Sequence, residues 1–222
     1  MRRSLIVMSV ALSAAFVAIP RASAWPQDQE YPRFETFLGY NYVRFNPNSD
    51  LIPSFSANGG SGQFVYNFNK WIGFAADVGA VNKGTLAGLN LDTTVMNFVA
   101  GPRFTFRKHG RFVPFAQALF GGGYATTSTE VFVFPSGQAV IPPGFTGSPF
   151  TATSARVQAS DTHFAMLAGL GLDIKINRHV SFRPVEADYY LTRMPSLLNG
   201  GNSNRNNFRY AGGVNFLFGY PK

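Results

Sequence analysis

The stretch Asp161 to Ile176, DTHFAMLAGLGLDIKI, carries two different sets of residues on alternating positions. Phe164, Met166, Ala168, Leu170, Leu172, Ile174 and Ile176 form an apolar line preceded only by Thr162. Between them Asp161, His163, Ala165, Leu167, Gly169, Gly171, Asp173 and Lys175 mix small side chains with ionisable ones. Strict period-two alternation belongs to a strand with two unlike faces, whereas a helix would scatter both sets. Strands of soluble sheets usually span about five or six residues. This one is longer than the roughly 9–11 residues that a tilted strand needs to cross a bilayer. The even face therefore fits lipid and the odd face fits a barrel interior, where Asp173 and Lys175 need partners from other strands.

The N-terminal residues MRRSLIVMSVALSAAFVAIPRASA place Arg2 and Arg3 before an apolar run from Leu5 to Ile19, then Ala22-Ser23-Ala24. This is the pattern of a secretory signal peptide, residues 1–24, with an A-x-A cleavage site. The run is shorter than the roughly 20 apolar residues of a spanning helix. Its removal lowers the net charge from +8 to +5, since Arg2, Arg3 and Arg21 leave with it. Nothing later approaches a transmembrane helix, so a membrane reading rests on strands. Cysteine is absent, so an exported chain of this kind needs a source of stability other than disulfides, and barrel closure in lipid is one. The 23 Gly and 23 Phe, with only 14% charged residues, fit aromatic girdles and strands that tolerate glycine. A modest basic excess without a Lys/Arg cluster does not argue for nucleic acid, and no nucleic-acid partner is expected.

Residues 25–32 read as a short periplasmic leader, and alternation recurs from there to the C-terminus. Leu38, Tyr40 and Tyr42 oppose Glu35, Gly39 and Asn41; after a turn-rich stretch from Pro47 to Gly60, Phe64, Tyr66 and Phe68 oppose Gln63, Val65 and Asn67. Ile72, Phe74, Ala76 and Val78 oppose Gly73, Ala75, Asp77 and Gly79, and a loop from Lys83 to Asp92 follows. Met96, Phe98, Ala100, Phe104 and Phe106 then oppose Asn97, Gly101, Arg103, Thr105 and Arg107, with Pro102 marking a bulge or a weakened ladder. In the fifth segment, Phe112 to Thr126, Phe115 and Leu119 share a face with Gln117, so part of the interior is expected to be apolar. In the seventh, Val180 and Phe182 face away from Arg183, yet Glu186 and Asp188 would share their side. A bulge near Pro184 flips the register and turns Arg183, Glu186 and Asp188 all inward. After a polar stretch from Met194 to Arg205, an eighth segment sets Phe208, Tyr210, Val214, Phe216 and Phe218 against Asn207, Arg209, Ala211, Gly213 and Asn215.

Eight strands are thus joined by connections that alternate long and short, the short ones at Asn69-Lys70, Lys108 to Gly110 and Asn177-Arg178. Outer-membrane barrels keep short turns on the periplasmic side and long loops outside. The reading is all-β: an eight-stranded antiparallel up-and-down transmembrane β-barrel over residues 33–218, with a long extracellular loop at 127–160 and a tail at 219–222. A soluble eight-stranded barrel would need polar residues where these lines of Phe, Leu, Ile and Val stand.

FLGYNYVRF at 37–45, YNFNKWIGFAADVG at 66–79, FVAGPRF at 98–104, FVPFAQALFGGG at 112–123, LGLDIKINRHVSFRPVEADYYLTR at 170–193 and RNNFRYAGGVNFLF at 205–218 stand in strand order across the mature chain. In this series the sequence resembles the OmpA-like or opacity-like outer-membrane β-barrel family. The resemblance implies an eight-stranded barrel in the bacterial outer membrane. It implies no single activity, because such barrels serve as scaffolds, surface-contact proteins and occasional lipid-modifying enzymes. After the last strand only Gly219 to Lys222 remain, so the peptidoglycan-binding domain of larger OmpA-type proteins is not carried over. Lys222 replaces their terminal aromatic, leaving Phe216, Phe218 and Tyr220 as the expected assembly-signal residues.

Glu35, Asp77, Asp173, Glu186 and Asp188 face inward with Arg103, Lys175, Arg183 and Arg209, and are expected to form a structural ionic network that plugs the interior; an ion or proton path is the alternative. His163 is expected to join it. His179 and Ser181 share a face like part of a lipid deacylase site, but they follow a periplasmic turn, and no carboxylate stands ready. Three His without Cys or close ligand spacing give no metal site, and no cofactor is expected. The candidate binding residues are Val131, Phe132, Val133 and Phe134 in the 127–160 segment, which reads either as a hairpin continuing above the membrane or as a contact surface for an extracellular ligand. The expected function is a structural or surface-contact role without enzymatic activity; an adhesin, a narrow pore and a lipid-modifying enzyme are the alternatives. Outer-membrane lipid, lipopolysaccharide and the barrel assembly machinery are the expected partners of a monomer. Mature protein transferred to detergent-free buffer is expected to aggregate; a monodisperse folded species by light scattering and circular dichroism would contradict the lipid reading.

Overall fold

Short turns decide which strands become neighbours. In two of them an asparagine side chain folds the backbone: Asn69 Oδ1 accepts from the N–H groups of Trp71 and Ile72, both at 2.8 Å, and Asn177 Oδ1 accepts from His179 and Val180, both at 2.8 Å. Asn and Asp are suited to this because their short polar side chains mimic a backbone turn. The third turn uses Gly110 at a φ of 61°, a conformation that a Cβ disfavours.

A computed structural model describes residues 31–46, 54–84, 91–108, 110–133, 139–140, 153–195 and 202–220. The signal peptide and most of the leader lie outside them. The unit from Tyr31 to Lys222 contains β1 (Phe34–Phe45), β2 (Phe55–Asn67), β3 (Ile72–Lys83), β4 (Leu91–Thr105), β5 (Phe112–Val133), β6 (Ala139–Val140), β7 (Thr153–Lys175), β8 (Val180–Pro195) and β9 (Asn202–Phe218). All strands but β6 form the barrel. Consecutive neighbours pair antiparallel, β5 pairs with β7, and β1 closes the ring on β9 from Phe34↔Phe218 to Arg44↔Phe208. Among the described residues no helix is long and apolar enough to cross a membrane.

The alternation follows the two faces. Leu170 is 66% exposed, and Leu38, Phe68, Phe98, Phe120, Phe164 and Phe182 point outward with it. Along most strands buried residues alternate with them, and toward the outer end of the interior Val43, Phe45, Val81, Val95, Leu119, Leu167 and Tyr190 pack together, with Thr192, Asn207 and His163 buried near them. In water such an outer face would be a continuous exposed apolar surface far beyond what monomers carry.

Local departures have local causes. Around Pro184 the partner of β8 shifts by one residue, between Arg183 and Glu186 toward β9 and between Leu172 and Ile174 toward β7. The extra β8 residue leaves Arg183, Glu186 and Asp188 all buried. At Pro102 the ladder to β5 is interrupted between Ala100 and Arg103, yet the register resumes unchanged, so the ladder is weakened without a bulge. Strands also reach further outward than the sequence pattern indicates. β2 starts at Phe55 inside the stretch read as turn-rich, because Phe45, Arg44 and Val43 supply a ladder opposite Phe55, Ser56 and Ala57. Pairing of β5 with β7 covers much of the segment read as a loop, from Thr127↔Ala159 to Val133↔Thr153, and β8 with β9 continues to Pro195↔Asn202. Ladder bonds hold these polar segments where hydrophobic alternation has already stopped.

Leu170 stands midway along the lipid-facing part of β7, so Leu170→Lys should lower stability by about 2–4 kcal/mol, the scale for a lysine at bilayer depth. Urea unfolding in lipid vesicles measures it, and a loss under about 1 kcal/mol would place this residue outside the hydrocarbon.

Candidate functional site

Inside the inner half of the barrel, two guanidinium groups organise the charge. Arg209 donates through Nε to Asp188 Oδ2 at 2.8 Å, through Nη1 to Asp77 Oδ1 at 2.9 Å and through Nη2 to Glu186 Oε1 at 2.6 Å. Arg183 donates through Nε to Asp173 Oδ1 at 2.7 Å and through Nη1 to Gln63 Oε1 at 3.2 Å, and also bonds Glu186. Arg103 adds bonds to Asp173 Oδ2 at 2.8 Å and Gln63 Oε1 at 2.7 Å. Gln117 joins Gln63 to Glu186 at 3.1 and 3.0 Å. With Glu35, whose carboxylate takes Asn67, Asn215 and Arg107 and lies 3.7 Å from Arg103, the network draws a side chain from each of the eight barrel strands.

Burial makes this geometry obligatory. Arg183, Glu186 and Asp188 show no exposed surface, and a buried charge without a partner costs several kcal/mol. The rings beside the network complete it: the Arg103 guanidinium lies 3.7 Å from the Phe115 centroid, and that of Arg183 lies 4.4 Å from Phe115 and 4.2 Å from Phe37. Phe115 can lie across the interior because β7 has a glycine beneath it; a Cβ on Gly171 would stand 2.2 Å from the ring.

Eight of the nine residues read from sequence as ionic are thus brought together. Lys175 is not among them. It is half-buried at the periplasmic rim, lining a small recess with Pro32, Glu35, Arg107 and Ser181, and forms no ion pair among the described residues. The strand ends there, so its flexible stem reaches water, which solvates an ammonium better than a crowded interior does. Arg107 takes the place next to Glu35 instead; its position four residues after Arg103 on the same strand face was the available signal. Gln63, Gln117, Asn67, Asn97 and Asn215 are further members without a charge to mark them.

His163 is buried but stands apart from the network at the outer end of β7, its Nε2 above Gly123, where a Cβ would come within 2.4 Å. His179 is exposed, with Nδ1 3.4 Å from the Leu217 carbonyl oxygen, whereas Ser181 is buried, so no nucleophile and base meet. Among the described residues no three His, Cys, Asp or Glu side chains gather to hold a metal. Val131, Phe132 and Val133 lie in β5 opposite Ala155, Ser154 and Thr153, and Phe132 and Val133 also pair with β6 on the other side. Phe134 lies outside the described residues.

Residues 9–220 match the outer membrane protein beta-barrel domain family. The chain belongs to that family. It is therefore a protein of the bacterial outer membrane. Comparison with curated proteins gives no match. Among solved structures, the barrel is similar to Ail, the attachment invasion locus protein of Yersinia pestis, at 18% identity and a TM-score of 0.53, covering 85% of this chain and 99% of Ail. It is also similar to neisserial surface protein A, at 14% identity and a TM-score of 0.51, covering 83% of this chain and 97% of that one. A second Ail structure, in complex with the heparin analogue sucrose octasulfate, aligns at 15% identity and a TM-score of 0.50 over 85% of this chain and 99% of that one. At such identity these likenesses speak for the fold.

Arg209→Leu leaves Asp77 and Asp188 without a cation and should cost roughly 3–5 kcal/mol of unfolding free energy. Lys175→Leu should change it by less than about 1 kcal/mol. Urea unfolding of both variants in vesicles measures the contrast, and equal losses would contradict the assigned partners.

Proposed function

We propose that this protein is a non-conducting, non-enzymatic scaffold of the outer membrane that carries a contact element on the cell surface. The observation behind this reading is the unequal height of the strands. On one side the pairing of β5 with β4 ends at Leu91↔Thr129, and on the other the pairing of β7 with β8 ends at Phe164↔Arg193. β5 and β7 continue together to Val133↔Thr153. With short turns on the periplasmic side, this ribbon stands outside the membrane. Below its described tip it carries polar pairs: Arg156 bonds Ser128, Gln158 bonds Thr126, and Val157 is exposed between them.

The ionic network supports a plug. A barrel of eight strands has room only for side chains, and here guanidinium and carboxylate groups bridge the interior from strand to strand. Lipopolysaccharide around the barrel and the assembly machinery during insertion are the partners that membrane residence calls for. A contact role through the hairpin also agrees with the names of the similar barrels, one an attachment protein and the other a surface protein. The complex of Ail with a heparin analogue makes a sulfated polysaccharide the first ligand class to try.

Replacing residues 127–159 by a two-residue Asn-Gly turn joins Thr126 to its partner Ser160. The shortened protein should fold and insert as the full chain does while losing binding of cells to host cells or to immobilised heparin. Unchanged binding would remove the hairpin from this role. In planar bilayers the intact barrel should show no stable single-channel openings, and their appearance would overturn the plug.

A further inference from the structure

Among the described residues, the exposed charges at the periplasmic end of the barrel are basic. Arg33, Lys108, Arg111 and Arg178 are exposed there, and Lys70 is half-buried among them. The carboxylates at this level among the described residues, Glu35 and Asp173, are turned inward and held by Arg107, Arg103 and Arg183. No acidic side chain of the described rim pairs with Arg33, Lys70, Lys108 or Arg111.

Two of these cations converge on one aromatic ring. The Lys70 ammonium lies 6.0 Å from the Trp71 ring centroid and the Lys108 ammonium 5.3 Å from it, although they come from different turns, β2–β3 and β4–β5. The turns are tied together. Arg107 Nη1 donates to the Lys70 carbonyl at 2.8 Å, and the Thr105 N–H donates to the Trp71 carbonyl at 2.8 Å. Phe106 packs edge-on against Trp71 with centroids 6.2 Å apart. One indole thus stands within 6.0 Å of two ammonium groups, neither of which pairs with a described carboxylate, so both can serve an external anion.

Depth identifies the anion. Directly above this site the outward residues Phe68, Ile72, Phe104, Phe106 and Phe112 meet lipid, and tryptophan marks the boundary where hydrocarbon gives way to headgroups. Lysines one residue below such a boundary stand at the level of lipid phosphates. On the periplasmic side of an outer membrane that leaflet is glycerophospholipid. We propose that Lys70, Trp71 and Lys108 form a clamp for the phosphate of an anionic glycerophospholipid, the indole covering the upper acyl region while the two ammonium groups hold the headgroup. The clamp gives the barrel a fixed depth and a preferred lipid at one point of its circumference. It goes beyond the surface-contact reading and needs only that the barrel spans the membrane.

The chain has two tryptophans, Trp25 and Trp71, so Trp25→Phe leaves Trp71 as the reporter in the full mature protein. In nanodiscs of phosphatidylcholine with increasing phosphatidylglycerol, Trp71 emission should change saturably, and native mass spectrometry should find phosphatidylglycerol retained. Lys70→Gln with Lys108→Gln should weaken the response roughly tenfold or more, two surface lysines having gone, with urea unfolding unchanged. Lys83→Gln, at the opposite end of β3, should leave it intact. An equal response to phosphatidylcholine alone, or one that survives the double substitution, would overturn the clamp. Saturation by inorganic phosphate in discs without the anionic lipid would overturn it too, by assigning the site to free phosphate.

Discussion

Hydrocarbon offers a strand no hydrogen-bond partner, and each peptide group left open in it costs several kcal/mol. A sheet that crosses lipid must therefore return on itself, which here is accomplished by the β1–β9 ladder from Phe34 to Arg44. The outward residues follow from the same solvent: Leu170, Phe164 and Phe182 stand where a soluble barrel would carry polar groups. The interior follows from closure. Eight strands enclose a space that side chains must fill, and inward groups away from the rims are then shut off from water.

That enclosure turns composition into geometry. An aliphatic filling satisfies the outer half, where Val43, Val81, Val95, Leu119 and Leu167 need no partners. The inner half is filled by ions, and their mutual bonds are specific in direction as well as in charge. Arg209 reaches three carboxylates on β3 and β8 with three different nitrogens, so a one-residue shift of β3 would break the bond to Asp77 and one of β8 those to Glu186 and Asp188. Buried ion pairs seldom add net stability over an apolar filling, but they penalise misregistered alternatives heavily. The planar fork of arginine suits this task better than the flexible ammonium of lysine, and Lys175 accordingly sits at the rim.

Strand number, faces and turns were legible because lipid enforces period-two alternation, and an Asn-Lys or Asn-Arg pair marks two of the short connections and Gly110 the third. The inward turn of Arg183, Glu186 and Asp188 could be read as well, since two acidic residues on a lipid face are untenable and Pro184 supplied a place for the extra residue. Strand ends could not be read. Outside the membrane both faces of a ribbon meet water, alternation stops, and pairs such as Ser128↔Gln158 leave no pattern in the residues. The neutral bridges Gln63 and Gln117 escaped for a similar reason: an inward amide looks the same in the sequence whether it bonds a carboxylate or its own neighbour. Arg107 and Lys175 were interchanged because both lie on inward faces near the rim, and only the three-dimensional stagger of the strands decides which of them meets Glu35.

The network also has a direction along the chain. Asp173, Arg183, Glu186, Asp188 and Arg209 bond one another within the last three strands, whereas Glu35, Gln63 and Asp77 each reach in from the N-terminal half. The C-terminal portion can thus neutralise most of its own charge before the first strands arrive, and in the N-terminal portion Glu35 finds Arg107 and Arg103 while Asp77 has no cation until Arg209 is in place. During biogenesis the dehydration of β3 is then the step that waits on the last strand, because Asp77 sheds its water only once the Arg209 guanidinium reaches it.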